Sequence, residues 1–524
     1  MTVESTVEDG PTVAVTSPSE QAHVEAERTF DVPRRWALPR LEGVGGVTRV
    51  EAARQFTQTA TYLDTIELDL LKAKHTLRRR VGGHDAGWHL KKPRDDGSRL
   101  EMAQPLGSSA VKVPESFRAE LSAIASPRAL VRVATLRTRR TERRLFGPDE
   151  QQLAVVADDT VEATVYLFGE RIYRWRELEV ELVDGSAALL DELTRVLVTN
   201  GLILSASQSK LGRALADALR RLEHPPAARA EDVVLKYLAA QVGMLQWTEA
   251  DVRVDQPDAV HKARVATRRL RSALRTFRPL LDRTVTDPLR REVRWLTGTL
   301  GAPRDAEVLL KRFDSMAGEL EPGLVVSTSV QRLESHLRAE HERAHGRLIA
   351  ALDGPRYERL MAALAELLVD PPWRPGAHKP AGREIPRLVR KSAKAVGQAV
   401  EAAQDAADPA ARDEALHEVR KRIKAARYAA EAAADVVRGA SKRTVTWAQL
   451  QDTLGEYQDS IVARQVIAKV SQQARQSNED TFTFGVLGER EAAAARTILG
   501  ESSSVLGAAR AAARRPVKAK NLKS

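Results

Sequence analysis

The sequence predicts two modules: an α+β module on a closed antiparallel sheet, then an all-α module built from two copies of one helical unit. Three observations carry this. Between 21 and about 213, short runs rich in β-branched and aromatic residues are broken by Gly and Asp turns. From about 229, Ala, Leu, Arg and Glu dominate and apolar residues recur near the helical period. Within that second region one pattern occurs twice. A chain of 524 residues is also too long for a single core.

Taken in order, residues 1–20 are polar and read as a disordered lead-in. They lack the basic and apolar regions of a secretory signal, and no apolar run is long enough to span a bilayer, so the cytoplasm is the expected compartment. In the first module, 21–213, the runs TYLDT, TLRRRVGG, GWHLKKP, RLEMA, LAVVADD and VEATVYLFGERIYRWRELEVEL read as strands. RVGGHDAGWHL reads as a hairpin around Gly82 and Gly83. Helices are expected over 48–56 and 185–200. A linker over 214–230 runs into EHPPAARAED, 223–232. The helical module spans 231–510; its copies, 231–370 and 387–510, are separated by the Pro- and Gly-rich VDPPWRPGAHKPAGREIP. A basic tail, 511–524, is expected to fray.

The 82 Lys and Arg against 71 Asp and Glu give a net charge of +11, which favours a polyanionic partner: nucleic acid, anionic lipid or polyphosphate. There is no cysteine, which excludes disulfides and thiolate metal sites.

The repeat narrows the choice. His261, Arg264, Arg268 and Arg271 align without gaps onto His417, Arg420, Lys424 and Arg427. LGAPRDAEV (300–308) aligns with LGEYQDSIV (454–462), matching Gly301 to Gly455 and Asp305 to Asp459. On a helix the first four residues fall within about 80° of arc, and Arg275 joins them. Leu270, Leu274, Phe277 and Leu281 form another stripe, free to pack. A single cationic row would pass as a solvated face. Two rows in register, each led by His and without acids spaced to pair within the row, ask for a polyanion laid along them. Single-stranded nucleic acid usually meets stacking aromatics, and groove-reading helices carry Asn or Gln; these rows have neither. Inorganic polyphosphate fits better than nucleic acid, and a membrane partner is not expected. The repeated histidines with basic residues at i+3, i+7 and i+10 resemble the CHAD family over 229–510. That resemblance implies a pseudo-twofold pair of helical bundles whose basic helices line a polyphosphate-binding cleft, with His261, Arg264, Arg268, Arg271, His417, Arg420, Lys424 and Arg427 as its residues.

In the first module charges recur at period two, the strand period. Glu25 and Glu27 share a face, as do Glu177, Glu179 and Glu181. Cations do the same: Arg78 with Arg80, His89 with Lys91, Arg137 with Arg139; Arg99 and Glu101 place one of each sign together. Crowded carboxylates need neutralising, and a divalent metal with oxygen ligands is the natural candidate. In a closed sheet these sets give an acidic side for metal and a basic side for phosphates.

The segments EAERTF, YLDT, LRRRVGGHDAGWHLKKP, RLE, LRTRR, RELEVEL and SKLGRAL, in this order, resemble the CYTH superfamily of triphosphate tunnel enzymes over about 21–213. The resemblance implies an antiparallel tunnel of about eight strands that binds or hydrolyses triphosphates with Mg²⁺ or Mn²⁺. It implies Glu25, Glu27, Glu177 and Glu179 as metal ligands, Glu181 and Asp158 as helpers, and Arg78, Arg80, Lys91, Arg99, Arg137 and Lys210 as the phosphate side. Glu25, Glu27 and Lys91 are then the catalytic set. One departure stands out: the family opens Glu-x-Glu-x-Lys, and here Thr29 takes the lysine position. Thr donates a hydrogen bond but no charge, and the adjacent Arg28 points to the other face of a regular strand.

Two readings follow: a Mg²⁺-dependent triphosphatase, with inorganic tripolyphosphate as substrate, or a non-enzymatic polyphosphate-binding scaffold, associated with polyphosphate granules. A third, weaker one is an RNA-associated protein. HERAH (341–345) matches the His-Glu-x-x-His zinc pattern. Its flanks are charged nearly all round, and His336, His341 and His345 are read as solvent-facing residues of a long helix.

Overall fold

The structure, a computed structural model, describes residues 20–21, 26–33, 35–94, 99–107, 112–207, 209–224, 228–406 and 408–520. Glu25 and the lead-in 1–19 lie outside the described residues. Contacts divide the chain into two units: 1–120 with 132–219, and 121–131 with 220–524.

The first unit is built on an eleven-stranded antiparallel sheet. Its strands are β1 (Glu20–Gln21), β2 (Glu27–Asp31), β3 (Arg49–Val50), β4 (Arg54–Asp64), β5 (Thr76–Val81), β6 (Gly87–Pro93), β7 (Arg99–Gln104), β8 (Val131–Phe146), β9 (Gln152–Val165), β10 (Arg171–Leu182) and β11 (Ile203–Leu204). They run β1-β7-β6-β5-β4-β8-β9-β10-β2-β11, with β3 on β8. This path has two ends, so the described pairings do not form the closed ring the sequence suggests. Yet β1 and β2 are only five residues apart, 22–26. Six peptide steps reach about 22 Å at most, whereas eight inter-strand spacings in a flat sheet would take about 38 Å. The sheet therefore curls.

Alternation then sorts the side chains. Leu178 and Val180 of β10 are buried with Phe30, Val32, Ala154 and Val156 under helix α3 (Ala187–Thr199). The helix contributes Leu189, Leu190, Leu193 and Leu197, each burial stabilising by about 1.5–3 kcal/mol. Ser186 Oγ caps α3 by accepting from Leu189 N at 3.3 Å, a contribution of about 1 kcal/mol. The helix expected over 185–200 is this one. That expected over 48–56 is instead β3 and the start of β4: Arg49 pairs with Phe146, and Val50 with Leu145, so the sheet edge overrides the helix-compatible Glu-Ala-Ala. Two helices, α1 (Asp69–Lys72) and α2 (Glu115–Ala125), are additions. The hairpin between β5 and β6 turns at Gly82 and Gly83, both at φ +78°, and a Cβ on Gly82 would lie 2.6 Å from Thr57 O. Helix α4 (Lys210–Glu223) follows.

The second unit is helical, and its order shows the repeat. Helices α5 (Ala230–Arg253), α6 (Ala259–Thr276), α7 (Arg283–Thr299), α8 (Gly301–Gly318) and α9 (Ser327–Asp353) are followed by α10 (Pro355–Val369). Then come α11 (Ala381–Gln404), α12 (Pro409–Ala432), α13 (Ala440–Gln476) and α14 (Phe482–Arg514). α5 and α11 both have 24 residues. α7 and α8 together match the continuous α13; Pro303 stands where α13 has Tyr457, and its missing N–H and ring account for the break at Leu300. The apolar stripe of Leu270, Leu274, Phe277 and Leu281 is buried. The described part of the tail, 511–520, is tied down: Arg438 N donates to Lys518 O at 2.9 Å and Lys520 N to Val436 O at 2.7 Å, while 521–524 lie outside the described residues. No helix among the described residues is long and apolar enough to cross a membrane.

The HERAH imidazoles are half-buried on α9 rather than solvent-facing. His341 Nε2 meets Asp255 Oδ2 at 2.7 Å and its Nδ1 meets Pro303 O at 3.1 Å; His345 Nε2 donates to Val252 O at 2.8 Å. They staple α9 to the end of α5. Acceptors at both nitrogens favour the imidazolium form of His341; burial works against this, but Asp255 and Pro303 O raise its pKa above the usual value.

Candidate active site and cationic cleft

The strand face opposite α3 carries the acids. In register, Glu177 pairs with Asp31 and Asp159, Glu179 with Thr29 and Ala157, and Glu181 with Glu27. Of these, Asp159, Glu177 and Glu179 offer carboxylate oxygens all within 4.8 Å of one another. Two cations answer them. Arg140 of β8 grips Asp159 through two bonds, 2.9 and 2.7 Å, and Glu179 at 2.6 Å. Lys210, first residue of α4, reaches Glu177 at 2.7 Å, Asp159 at 3.0 Å and also Glu179. Burial opposes the charge on Glu179, but Lys210 and Arg140 pull its carboxyl down to about 2. Burial likewise opposes the charge on Lys210, and the surrounding carboxylates raise its pKa well above the lysine range. Glu177 Oε2 accepts from Trp175 Nε1 at 2.6 Å. Its Oε1 is buried and, although 2.7 Å from the Lys210 ammonium, makes no aligned hydrogen bond. Three hard oxygen donors with an under-used buried lone pair fit a divalent cation such as Mg²⁺ or Mn²⁺.

The basic strands lie on the same inward side. Arg78 meets Glu101 at 3.1 Å, Lys91 meets it at 3.2 Å, and Arg80 pairs with Asp85. Burial lowers the Arg80 pKa first and Arg78 next; Arg140 adds to this, which brings β5 and the acid cluster into one electrostatic field.

In the helical unit α6 and α12 pack together, pinned by Arg269–Glu431 at 2.8 Å. Their cationic rows face each other. Burial and then Arg264, Arg420 and Arg427 lower Arg268; burial and then Arg420, Arg268 and Arg264 push Lys424 down to about 7. The two rows thus form one cationic cluster. Its Arg264, Arg268, Arg420 and Arg427 each hold a buried Nε without a hydrogen-bond partner. Each copy repeats one contact: Arg264–Asp305 at 2.9 Å, Arg420–Asp459 at 4.0 Å. Burial, then Arg304, lowers His261; burial, then Lys421, lowers His417. Arg290 and Arg294 of α7 extend the field at Arg271.

The CYTH domain family matches residues 23–214 and the CHAD domain family residues 236–468. An uncharacterized protein of Mycobacterium tuberculosis is 35% identical over 496 residues, 91% of this chain and 94% of its own length. The chain is a CYTH–CHAD protein. Human thiamine-triphosphatase is 30% identical over 163 residues, 29% of this chain and 67% of its own length. A CHAD domain from the plant Ricinus communis aligns with 56% of this chain and 95% of its own, at 24% identity and a TM-score of 0.42.

Within the CYTH module the expected residues separate. Glu177 and Glu179 join the acid cluster, while Glu27 and Glu181 sit one register step along the same face. Asp158 does not: it lies on the opposite face, bonded to Arg176 at 2.6 and 2.8 Å. Asp159 takes its place, because only one of two adjacent strand residues can face inward. Likewise Arg137 is exposed and pairs across from Glu162, on the face opposite Arg140. Arg99 shares the face of Glu101. Lys210 stands among the acids rather than on the basic side. Arg28 turns to α3, bonding Thr194 at 2.8 Å and Asp191 at 2.6 Å, and supplies no charge in place of Thr29. In the CHAD module His261, Arg264, Arg268 and Arg271 lie on α6, and His417, Arg420, Lys424 and Arg427 on α12.

Proposed function

We propose that the CYTH module is a divalent-metal-dependent triphosphatase acting on inorganic tripolyphosphate, and that the CHAD module binds inorganic polyphosphate. The reading assigns residues 21–213 to the first activity, 231–510 to the second and 214–230 to a linker. The convergence of Asp159, Glu177 and Glu179 beside Arg140, on the side that also holds Arg78, Arg80 and Lys91, carries it. The relation to a protein named thiamine-triphosphatase supports the substrate class.

The three carboxylates would hold the metal, with Glu27 and Glu181 one step away. When bound, a divalent ion polarises a phosphoryl oxygen and a water. Arg78, Arg80, Arg99 and Lys91 bind phosphoryl oxygens of the chain and stabilise the charge that develops on them. Trp175 Nε1 orients Glu177. Arg140 orients Asp159 and Glu179. In the CHAD cleft the four unpartnered guanidinium Nε donors are ready for phosphoryl oxygens.

Thr29 favours a second reading, a module that binds triphosphate without turning it over. Phosphate release from tripolyphosphate, with and without Mg²⁺ and beside other triphosphates, separates the two. Metal-dependent release supports hydrolysis, and its absence from every substrate supports binding alone. For the cleft, Arg268→Ala should weaken titrated long-chain polyphosphate about tenfold or more; unchanged affinity would remove the cleft from the reading.

A further inference from the structure

We propose that Lys210 is the resting occupant of the metal seat: its ammonium excludes a divalent ion until a polyphosphate anion draws it away, so that metal and anion bind cooperatively. This rests on the triphosphatase reading and adds a binding order to it.

The geometry is that of a cation in a cation site. One ammonium lies within 3.0 Å of Glu177 and Asp159 and also contacts Glu179, the same three carboxylates whose oxygens converge. Lys210 is the first residue of α4, where the helix dipole disfavours a positive charge. The helix gives no reason for a lysine there; the acids do. Charge among the five contacting groups favours the exchange. Three carboxylates facing Arg140 and Lys210 retain one negative charge. A divalent ion in place of Lys210 leaves the cluster neutral; with both present it would be positive in a buried site.

Of the two cations, Lys210 is the one able to leave. Arg140 holds Asp159 by a two-pronged planar contact, whereas an ammonium is a point charge on a flexible stem. Glu177 Oε1, close to Nζ but out of line for a hydrogen bond, is the least satisfied of its contacts. The helix can stay fixed while the side chain swings. Arg213 on the next turn is paired with Asp31 and stacked 5.1 Å over Trp175, and Asp217 accepts from Tyr173 Oη at 2.8 Å. The phosphate-side cations Arg78, Arg80 and Lys91 lie on the same inward side, so an anion bound there offers Lys210 a new partner.

The test uses the full chain and measures each ligand alone. Mn²⁺ binding is followed by the loss of the free-ion electron paramagnetic resonance signal, and metal-free imidotriphosphate binding by calorimetry. Lys210→Met and Lys210→Gln, with folding checked by circular dichroism, should bind Mn²⁺ about tenfold more tightly than wild type and imidotriphosphate about tenfold more weakly. A merely structural lysine would weaken both. Equal or weaker Mn²⁺ binding by the variants, with wild type binding measurably, overturns the proposal and leaves the metal site standing. No Mn²⁺ binding by wild type or variants overturns both.

Discussion

At the residue scale, Lys424 gives the cleft a proton signature. Burial and the fields of Arg420, Arg268 and Arg264 bring it to about 7, so at pH 8 it is mostly neutral in the free protein. A polyanion along the row favours the charged form and raises its pKa. Polyphosphate binding at pH 8 should therefore take up roughly one proton, read as the dependence of calorimetric heat on buffer ionisation enthalpy. Lys424→Arg should abolish the uptake while keeping affinity. His341 has the opposite sign. Its folded pKa is raised above the usual 6.5, so its stabilisation is fully present below 6.5 and fades as pH rises through the folded value. His341→Asn should lower the melting temperature more at pH 5.5 than at pH 8.5; an equal loss at both would contradict the imidazolium. The sequence showed that charges at period two mark a face, but not which member of an adjacent pair faces inward. Asp158 against Asp159, and Arg137 and Arg139 against Arg140, are settled by strand register, which a single chain read alone does not fix.

At the element scale, the repeat makes a prediction from glycine. A Cβ on Gly455 would sit 3.1 Å from Arg420 Nη2, while on Gly301 it would be 3.8 Å from Arg264 Nη2. Gly455→Ala should displace Arg420 and weaken polyphosphate binding about 3- to 10-fold, within the worth of one charge-assisted hydrogen bond, and Gly301→Ala should leave it near wild type; titration of both variants checks the difference. Elements with a dense local signal were legible. α3 announces itself by a Ser cap and leucines at helical spacing, the β5–β6 turn by paired glycines, and α6 by separate cationic and apolar stripes. The segment 48–56 was not, because the strand character of Arg49 and Val50 comes from partners in β8 that are distant in sequence. The break between α7 and α8 follows from Pro303, yet the repeat alignment alone gave no sign of it.

At the scale of the whole molecule, each module holds a local concentration of charged side chains. In the CYTH module cations and carboxylates occupy one inward side of a curled sheet. In the CHAD module the cationic rows of α6 and α12 lie within one another's electrostatic field. Both arrangements place like charges closer than water-exposed surfaces need, and the proposed ligands, a triphosphate with a divalent ion in the first and polyphosphate in the second, would neutralise them.

In the proposed triphosphatase, Asp159, Glu177 and Glu179 form the metal-holding side. The most direct measurement is the rate of phosphate release from tripolyphosphate with Mg²⁺ for wild type, Asp159→Asn and Asp158→Asn. Asp159→Asn should fall by about 100-fold or more, whereas Asp158→Asn, on the opposite face, should stay within a few-fold of wild type. Equal losses in the two variants, or no Mg²⁺-dependent release from wild type, would contradict the account.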